Sequence, residues 1–482
     1  MVKKKIKNFI SCPPSLPPLF FTEIWERFSY YGMRSILLLY IYYSTTSGGL
    51  GLPQITAASI VSIYGSLIHI SSLGGGYLGD RILNPYKTVL IGSFLIMIGH
   101  IILAIPGGFY ALLISLALII VGTGFLKPNV ATMVGLSYTD GDNKRDVGYL
   151  LFVMVINIGA FVAPLIVGYF GETYSFHLGF SLAAIGMFFG LLIYIFSKKR
   201  MNKEFFKTSN PLNVKEKKKL MKIVLIVIVF IMIAIFILNI YDLLIVENMI
   251  SLIAIIIVIV PILFFSKLLK SNNYGKIEKN KIKGLIPLFL GGVLMFMIHG
   301  QISTTLTIFS KEHISLGWIP VSWIQSIDPM FYLILLPVFA YILSKFKSNP
   351  PSAPFKFSIG LFFAGSSFLI LSVALIIYGT NVLINPIWLL FSLFILTIGY
   401  SLIYPTGLSI TSKLSPKDSK SQMMGIWLIS ESVASALVSQ IVKLYSSNEL
   451  SYFALTGLVV IIGGVILFLV RKPITKLMMN VT

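Results

Sequence analysis

Long apolar stretches separated by short polar segments dominate the chain. A transmembrane helix needs about 20 mostly apolar residues, and fourteen stretches of this kind are present. The predicted spans cover 19–43, 55–79, 87–106, 109–133, 148–170, 177–197, 220–240, 249–269, 284–309, 320–345, 356–378, 386–412, 421–445 and 450–470. This pattern predicts an all-α membrane protein with fourteen spans.

The overall composition agrees with this prediction. Of 482 residues, 56% are hydrophobic and 11% are charged, and the mean hydropathy is +0.90. These values are typical of a multi-pass membrane protein and exclude an ordinary soluble enzyme. The single cysteine, Cys12, excludes an internal disulfide framework. The short loops contain no nucleotide loop, metal-ligand cluster or nucleophile–base pair, so we expect no enzymatic activity, cofactor or bound metal.

The basic residues predict the orientation of the chain in the membrane. The formal net charge is +21, and 33 of the 38 Lys and Arg residues lie in the two termini or after even-numbered spans. Cytoplasmic segments are enriched in Lys and Arg, so both termini are predicted to lie on the cytoplasmic side of the cytoplasmic membrane. The basic start precedes too short an apolar run for a secretory signal. Because the charge reflects topology, no nucleic-acid partner is expected.

Two basic segments, 198–222 and 270–283, divide the spans into groups of six, two and six. The predicted domains are therefore an N-terminal bundle at 1–200, a linker with two additional spans at 201–283 and a C-terminal bundle at 284–482. Two six-span halves are typical of the major facilitator superfamily, which binds its substrate near the midplane between the halves. Spans 7 and 8 are almost purely aliphatic and are predicted to face lipid.

The first span carries four charged residues: Glu23, Glu26, Arg27 and Arg34. At ~100° per residue, these four and Tyr30 share roughly one third of the helix circumference. A charge at the membrane centre costs at least ~2.5 kcal/mol, so this face is predicted to line a wet path or to meet opposite charges. Snorkelling from the helix end could serve Glu23 but not Arg34, which lies in mid-span.

Spans 2 and 4 add further candidate residues. Lys127 lies before Pro128, a residue that kinks helices. A span 1 carboxylate paired with Lys127 would be ionised and would take up a proton when the pair breaks; alternatively, Lys127 reaches cytoplasmic water. After a glycine-rich helix end, Asp80 and Arg81 are a candidate gate that locks the following loop. The alternative for this segment is close helix packing without a gating role.

Several motifs resemble the proton-dependent oligopeptide transporter (POT) family. They lie at 23–34, 122–130, 146–164, 405–409 and 423–427, and the resemblance extends over essentially the whole chain. It implies a major facilitator fold with two inserted spans. It also implies proton-coupled import of di- and tripeptides by alternating access, in a carrier expected to work as a monomer.

The resemblance also implies roles for individual residues. The proton-coupling residues would be Glu23, Glu26, Arg27 and Lys127. Arg34 and Lys127 would bind the peptide carboxylate, an assignment that the residues also support directly because two cations at an apolar midplane form an anion site. Tyr30 and Asn157 would contact the peptide backbone, or alternatively hydrogen-bond between helices.

The chain departs from the family pattern where carboxylates are expected to hold the peptide ammonium group. Gly300 and Tyr400 stand where the family usually has glutamates, and His69 replaces a tyrosine. Asp328 and Glu431 are the remaining deep carboxylates, and each either recognises an amine, takes part in proton coupling or pairs locally. The substrate-binding candidates of this group are His69, His299, Asp328, Tyr400 and Trp427.

Two other functions remain open at this point. His299 lies one position before the replaced glutamate, as in plant nitrate carriers of the same broad family, although a lone histidine in an aromatic helix is often structural. A site with Arg34, Lys127 and His299 would be cationic and would suit a small anion such as nitrate or a carboxylate. A non-transporting membrane nutrient sensor with a transporter fold is the second alternative.

Overall fold

The computed structural model describes residues 13–138, 144–240, 245–272, 274–345, 351–380, 382–415 and 420–479. Cys12 and the basic residues before it lie outside these ranges. Nearly all of the described chain is helical, and its long helices follow the order of the predicted spans.

Fourteen long helices, α1 to α14, account for most of the described residues. The first eight are α1 Leu16–Tyr42, α2 Gln54–Leu78, α3 Pro85–Ala104, α4 Gly108–Leu136, α5 Lys144–Ala163, α6 Phe176–Phe196, α7 Val214–Ile240 and α8 Val246–Lys270. The others are α9 Lys276–His299, α10 Ile327–Lys345, α11 Ala353–Tyr378, α12 Ile387–Leu414, α13 Lys420–Ile441 and α14 Glu449–Leu469. Helix α9 is prolonged by a 3₁₀ turn, Gly300–Ser303, and a short helix, α9b, at Thr305–His313. Helix α5 continues through Pro164–Gly168 and Tyr169–Thr173.

Twelve of these helices are long and apolar enough to cross a membrane, as judged over the described residues. Helix α1 is not among the twelve because its charged residues lower its apolarity, and α7 is the other exception. The chain is thus a multi-pass helical membrane protein as predicted. The full count of fourteen spans remains a prediction for α1 and α7.

The boundaries of the helices differ from the predicted spans mainly at basic segments. The predicted basic loop at 270–283 is shorter in the structure, because α8 ends at Lys270 but α9 already begins at Lys276. Lysines at these helix ends form additional helical turns, which a hydropathy count assigns to the loop. Helix α1 begins at Leu16 with prolines in its first turn, where their missing N–H groups cost nothing.

Helices α1 to α6 pack together as one bundle. Within it α4 packs against α3 and α2, and α6 packs against α1 and α3. A Cβ atom on Gly75 of α2 would lie 1.9 Å from the carbonyl oxygen of Gly124 in α4, so only glycine allows this approach. The side-chain nitrogen of Asn129 donates to the Gly75 carbonyl oxygen at 2.9 Å. The glycine-rich end of α2 therefore has a packing role.

Helices α9 to α14 form a second bundle of the same size. Here α11 packs against α14 and α12, and α9 packs against α13 and α12. Helix α8 lies outside both bundles, against α13, α2 and α9, and presents an exposed apolar face that includes Ile255, Ile262 and Leu263. This position agrees with the prediction of a lipid-facing addition. The hydroxyl of Ser251 on α8 also donates to the side-chain oxygen of Gln440 on α13 at 3.0 Å.

Candidate functional site

The two bundles contact each other at one end of the molecule. We call the end at which α1 begins and α14 ends the terminal end, and the opposite one the far end. At the far end both carboxylate oxygens of Glu172 accept from the backbone N–H groups of Val321 and Ser322, at 3.1 and 2.8 Å. The amide of Gln54 donates to a carboxylate oxygen of Glu312 at 2.8 Å. These contacts join the first bundle to the second and close the far end.

A seam of small polar residues continues this contact toward the middle of the molecule. The hydroxyl of Ser59 on α2 donates to the carbonyl of Ser439 on α13 at 2.9 Å. Ser66 on α2 and Ser432 on α13 each donate to the carbonyl of the other. Small side chains let α2 and α13 approach closely, and the seam ends at a pair of titratable residues described below.

Three charged residues of α1 form a compact buried cluster in the first bundle. The Nε atom of Arg27 lies 2.8 Å from a Glu23 carboxylate oxygen and 2.6 Å from one of Glu26. The three residues are only 1, 0 and 2% exposed for Glu23, Glu26 and Arg27. Two carboxylates and one guanidinium leave one negative charge in excess. A buried unpaired charge is strongly unfavourable, so this cluster attracts a proton or another cation.

The neighbouring helices enclose this cluster because they present glycines to it. A Cβ atom on Gly159 of α5 would lie 2.7 Å from the Arg27 side chain, and one on Gly190 of α6 would lie 3.1 Å from Trp25. Both helices therefore approach the backbone of α1 and exclude water from its charged face. Within the described part of the chain, Oε2 of Glu23 and Oε1 of Glu26 have neither a hydrogen-bond nor an ion-pair partner. The charged face of α1 thus points into the protein, as predicted.

Lys127 lies on α4 between this cluster and the second bundle. Among the described residues no carboxylate comes within ion-pair distance of its ammonium group. The predicted pair between Lys127 and a span 1 carboxylate is therefore absent from this conformation, because Glu23 and Glu26 both bind Arg27. The carboxylate that attracts Lys127 most strongly is Glu431 of α13, ahead of Glu26 and Glu23. Lys127 is thus available for other anionic partners.

Besides Lys127, the first bundle has another half-buried cation between the halves, namely Arg34. It lines a small cavity together with Ser62 of α2, Ser435 of α13 and Gly300, which lies in the turn after α9. Its Nε atom has no hydrogen-bond partner, and among the described residues it takes part in no ion pair. Arg34 and Lys127 together therefore present two positive charges toward the second bundle.

The two predicted backbone-binding residues lie in different surroundings. The ring of Tyr30 is buried, and the guanidinium of Arg27 lies 5.8 Å from its centroid. The amide of Asn157 donates to the carbonyl of Val153 in its own helix at 2.9 Å, and its side chain is half-buried. Neither side chain forms a described hydrogen bond to another helix, so the alternative of inter-helix bonding finds no support here.

The second bundle brings together three of the predicted substrate-binding residues. The Nε2 atom of His299 lies 3.0 Å from Oδ2 of Asp328, and the hydroxyl of Thr397 donates to Oδ1 at 2.8 Å. The His299 ring stacks on Tyr400 with 4.1 Å between the ring centroids. Asp328 is therefore engaged by local partners. His299 has a carboxylate beside it, which opposes the prediction that it adds to a purely cationic site.

Trp427 does not lie at an open cavity, contrary to the prediction that it contacts substrate. Its side chain is 1% exposed, and its ring packs edge-to-face against Phe296 and Phe357. Gly407 of α12 leaves room for the ring, since a Cβ atom there would lie 1.9 Å from it. In this conformation Trp427 is part of the core of the second bundle.

The predicted gating residues behave differently from one another. A guanidinium nitrogen of Arg81 lies 2.9 Å from a Glu216 oxygen in the first turn of α7. The side chain of Asp80 has no partner among the described residues, and its carbonyl accepts from the backbone N–H of Asn210 at 3.0 Å. The Asp80–Arg81 segment thus binds the linker before α7, and neither residue contacts the second bundle among the described residues.

Glu431 is named in the sequence analysis as a deep carboxylate but is missing from the predicted substrate-binding residues, and the structure places it at the centre of the site. Its Oε1 atom lies 3.1 Å from Nε2 of His69 on α2, so these two side chains join the two halves. The helical spacing of the polar residues Glu431, Ser435 and Ser439 on α13 contained this signal, because residues four apart share one helix face. Each of the three lines the seam or the cavity between the halves.

A third histidine–carboxylate pair lies at the far end, where α9b ends at His313. The Nε2 atom of His313 lies 2.6 Å from Oε2 of Glu449, and donor atoms of these residues and Glu312 lie within 4.8 Å of one another. The adjacent Glu449 carboxylate holds the pKa of His313 above its usual value. The side chains of His313, Glu449 and Glu312 therefore form a local contact at the closed far end.

The comparisons with known proteins agree with this architecture. Residues 86–464 match the model of the POT family. The chain belongs to the POT family. The di-/tripeptide transporter of Lactococcus lactis subsp. cremoris is 39% identical over 493 residues, covering 100% of this chain and 99% of the relative. The POT family is one of membrane transporters, and this chain is therefore a transporter of that family.

Two solved structures are also closely similar. A peptide transporter POT in complex with sulfate has a TM-score of 0.94 and 42% identity, and covers 97% of this chain and 96% of that chain. A POT family transporter in complex with 5-aminolevulinic acid has a TM-score of 0.91 and 35% identity, and covers 95% of this chain and 96% of that chain. The chain thus has the predicted major facilitator fold with two inserted helices.

Proposed function

We propose that this protein is a proton-coupled symporter that imports di- and tripeptides by alternating access. Its family membership and its full-length similarity to a di-/tripeptide transporter support this proposal. The observation that carries it is the charge arrangement: a buried α1 cluster with one excess negative charge lies beside two cations that have no ion-pair partner among the described residues. A proton would neutralise the first part of this arrangement and a peptide carboxylate the second.

The proposed cycle uses four residues for coupling: Glu23, Glu26, Arg27 and Lys127. A proton neutralises the excess charge of the α1 cluster, and the peptide carboxylate binds Arg34 and Lys127 through charge-assisted hydrogen bonds. Lys127 is thereby released from the α1 and α13 carboxylates, and the halves rock. When the proton leaves, the cluster attracts Lys127 again and resets the carrier. Tyr30 and Asn157 are proposed to contact the peptide backbone.

The carrier is proposed to act as a monomer in the cytoplasmic membrane with both termini in the cytoplasm. The distribution of Lys and Arg residues supports this orientation. With that orientation the terminal end faces the cytoplasm and the closed far end faces outward, so the conformation would be inward-facing. The domain limits 1–200, 201–283 and 284–482 are retained as part of the proposal.

A small anion such as nitrate is the second candidate substrate. The two unpaired cations favour it, and a related transporter binds sulfate. The carboxylates of Asp328 and Glu431 in the second bundle oppose it, because carboxylates repel an anion. Peptide is therefore the better assignment.

Uptake into proteoliposomes under an imposed pH gradient tests the proposal. Labelled dialanine should accumulate only when the external side is acidic, and collapse of the gradient with an ionophore should abolish accumulation. Unlabelled nitrate should not compete. Accumulation of nitrate in place of dialanine would overturn the peptide assignment, and uptake of neither compound, with specific peptide binding retained, would favour a non-transporting sensor.

A further inference from the structure

Glu431 is the carboxylate of the second bundle that lies opposite the two unpaired cations. Its interaction with Lys127 is the strongest of any carboxylate. It also acts electrostatically on Arg34 and Tyr30 of α1. The first bundle therefore contributes positive charge to the space between the halves, and Glu431 contributes negative charge from the opposite side.

The exposure of Glu431 distinguishes it from the carboxylates of α1. Its side chain is 30% exposed, whereas those of Glu23 and Glu26 are 1 and 0% exposed. Only Oε1 of Glu431 has a partner among the described residues, namely His69. The side chain as a whole is partly exposed. A ligand can therefore reach Glu431 without first opening the buried α1 cluster.

The other groups around Glu431 are aromatic or can become cationic, and they come from four helices. Tyr30 and Tyr31 belong to α1, Lys127 to α4, His299 to α9, and Tyr400 and Tyr404 to α12, as the electrostatic interactions indicate. Aromatic faces attract ammonium groups, and hydroxyls accept their hydrogen bonds. The tyrosine rings and hydroxyls around Glu431 thus suit an organic ammonium ion, and Lys127 is left to the carboxylate of the same ligand.

We propose that Glu431 binds the ammonium group of the substrate and that His69 is its partner in the empty carrier. This inference rests on the proposed peptide transport. A zwitterionic peptide would place its carboxylate at Arg34 and Lys127 and its ammonium group at Glu431. The bound peptide would therefore span the two halves. Since His69 and Glu431 come from opposite halves, the ammonium group replaces one cross-half contact with a bridge made by the substrate.

Binding of two peptides to purified protein tests this assignment. The probes are dialanine and N-acetyldialanine, which differ in the charged amine. We expect wild type to bind dialanine at least about tenfold more tightly, because a charged hydrogen bond is worth roughly 1.5–3 kcal/mol. Glu431→Gln should lose this preference and bind N-acetyldialanine as wild type does. The exposed carboxylate variant Glu204→Gln is the matched control and should keep the preference.

The alternative outcomes separate this inference from the proposed function. If wild type imports dialanine and Glu431→Gln keeps the full preference, the ammonium assignment is overturned while peptide transport stands. If wild type imports nitrate and not dialanine, both proposals fall. If Glu431→Gln does not fold, the doubly neutral variant His69→Asn/Glu431→Gln is measured by the same criterion, and retention of the preference would again overturn the assignment.

Discussion

The two halves of the carrier treat their buried charges in different ways. In the first half, three adjacent charged residues of α1 form a cluster with an excess negative charge, and two further cations have no ion-pair partner among the described residues. In the second half, Oδ2 of Asp328 lies 3.0 Å from the His299 ring and Oδ1 accepts from the Thr397 hydroxyl, so both oxygens have local partners. This difference supports the proposal that the first half carries the proton-coupling charges, whereas the carboxylate of Asp328 in the second half already has local partners.

Removal of Arg27 is expected to have the largest effect on the protein. Arg27→Met would leave two buried carboxylates without their cation, and breaking a buried ion pair costs roughly 3–5 kcal/mol. We expect little folded protein, measured by size-exclusion chromatography and thermal melting. The neutral triple variant Glu23→Gln/Glu26→Gln/Arg27→Met should recover folding. Equal loss in both variants would show that packing, rather than charge, is what Arg27 supplies.

Lys127→Ala should separate transport from proton coupling. Without the ammonium group, the α1 cluster has no mobile cation to exchange for a proton, so accumulation driven by a pH gradient should be abolished. Counterflow exchange, which needs no net proton movement, should remain in part. Both are measured in proteoliposomes, with the exposed-lysine variant Lys472→Ala as control. Full accumulation by Lys127→Ala would rule out its coupling role.

Much of this contrast could be predicted from the sequence, because a charged side chain in an apolar span must face water, opposite charges or other polar groups inside the protein. The charged face of α1, the six-two-six order of helices and the presence of Lys127 within an apolar span all follow from hydropathy and helical periodicity. The partners could not be predicted in the same way. Glu23 and Glu26 both bind Arg27 because α5 and α6 enclose them with glycines, which is a property of packing between distant segments.

In the second half, the partner of Glu431 could likewise not be predicted from the sequence. Its distance from His69 depends on the close approach of α2 and α13, which are separated by more than 300 residues and joined by serine hydrogen bonds. Periodicity identifies the polar face of each helix but not which two faces meet. Trp427 is the opposite case. The resemblance of the chain to the family suggested a substrate contact, whereas the Trp427 ring is buried in the room that Gly407 of α12 leaves for it.

Arg34→Ala tests the anion site of the first half. Loss of a charged hydrogen-bonding partner is worth roughly 1.5–3 kcal/mol, so affinity for dialanine should fall about 10- to 150-fold. Affinity for its C-terminal amide, which lacks the carboxylate, should change little. Competition against labelled dialanine measures both, and Arg34→Lys serves as the variant that retains charge but loses the planar fork. Undiminished dialanine binding by Arg34→Ala would dismiss the assignment.

Asp328→Asn should show that the second half depends less on charge. It weakens the contacts to His299 and Thr397, and we expect a loss of stability of roughly 1–3 kcal/mol with proton-driven accumulation retained. Thermal melting and uptake measure the two effects. The double variant Asp328→Asn/His299→Gln should lose less stability than the sum of the single variants. Abolished accumulation with unchanged melting would instead make Asp328 a coupling residue.

The smallest effect is expected at the closed far end, where His313 pairs with Glu449. Because the pair raises the pKa of His313 in the folded protein, its stabilisation is complete below the unfolded value of about 6.5 and is lost as pH rises through the higher folded value. The melting temperature of wild type should therefore contain a component that falls over this range, and His313→Gln should lack it. His177→Gln, whose imidazole contacts a backbone carbonyl, is the matched control. Identical pH profiles for wild type and His313→Gln would show that this pair contributes no pH-dependent stability to the closed end.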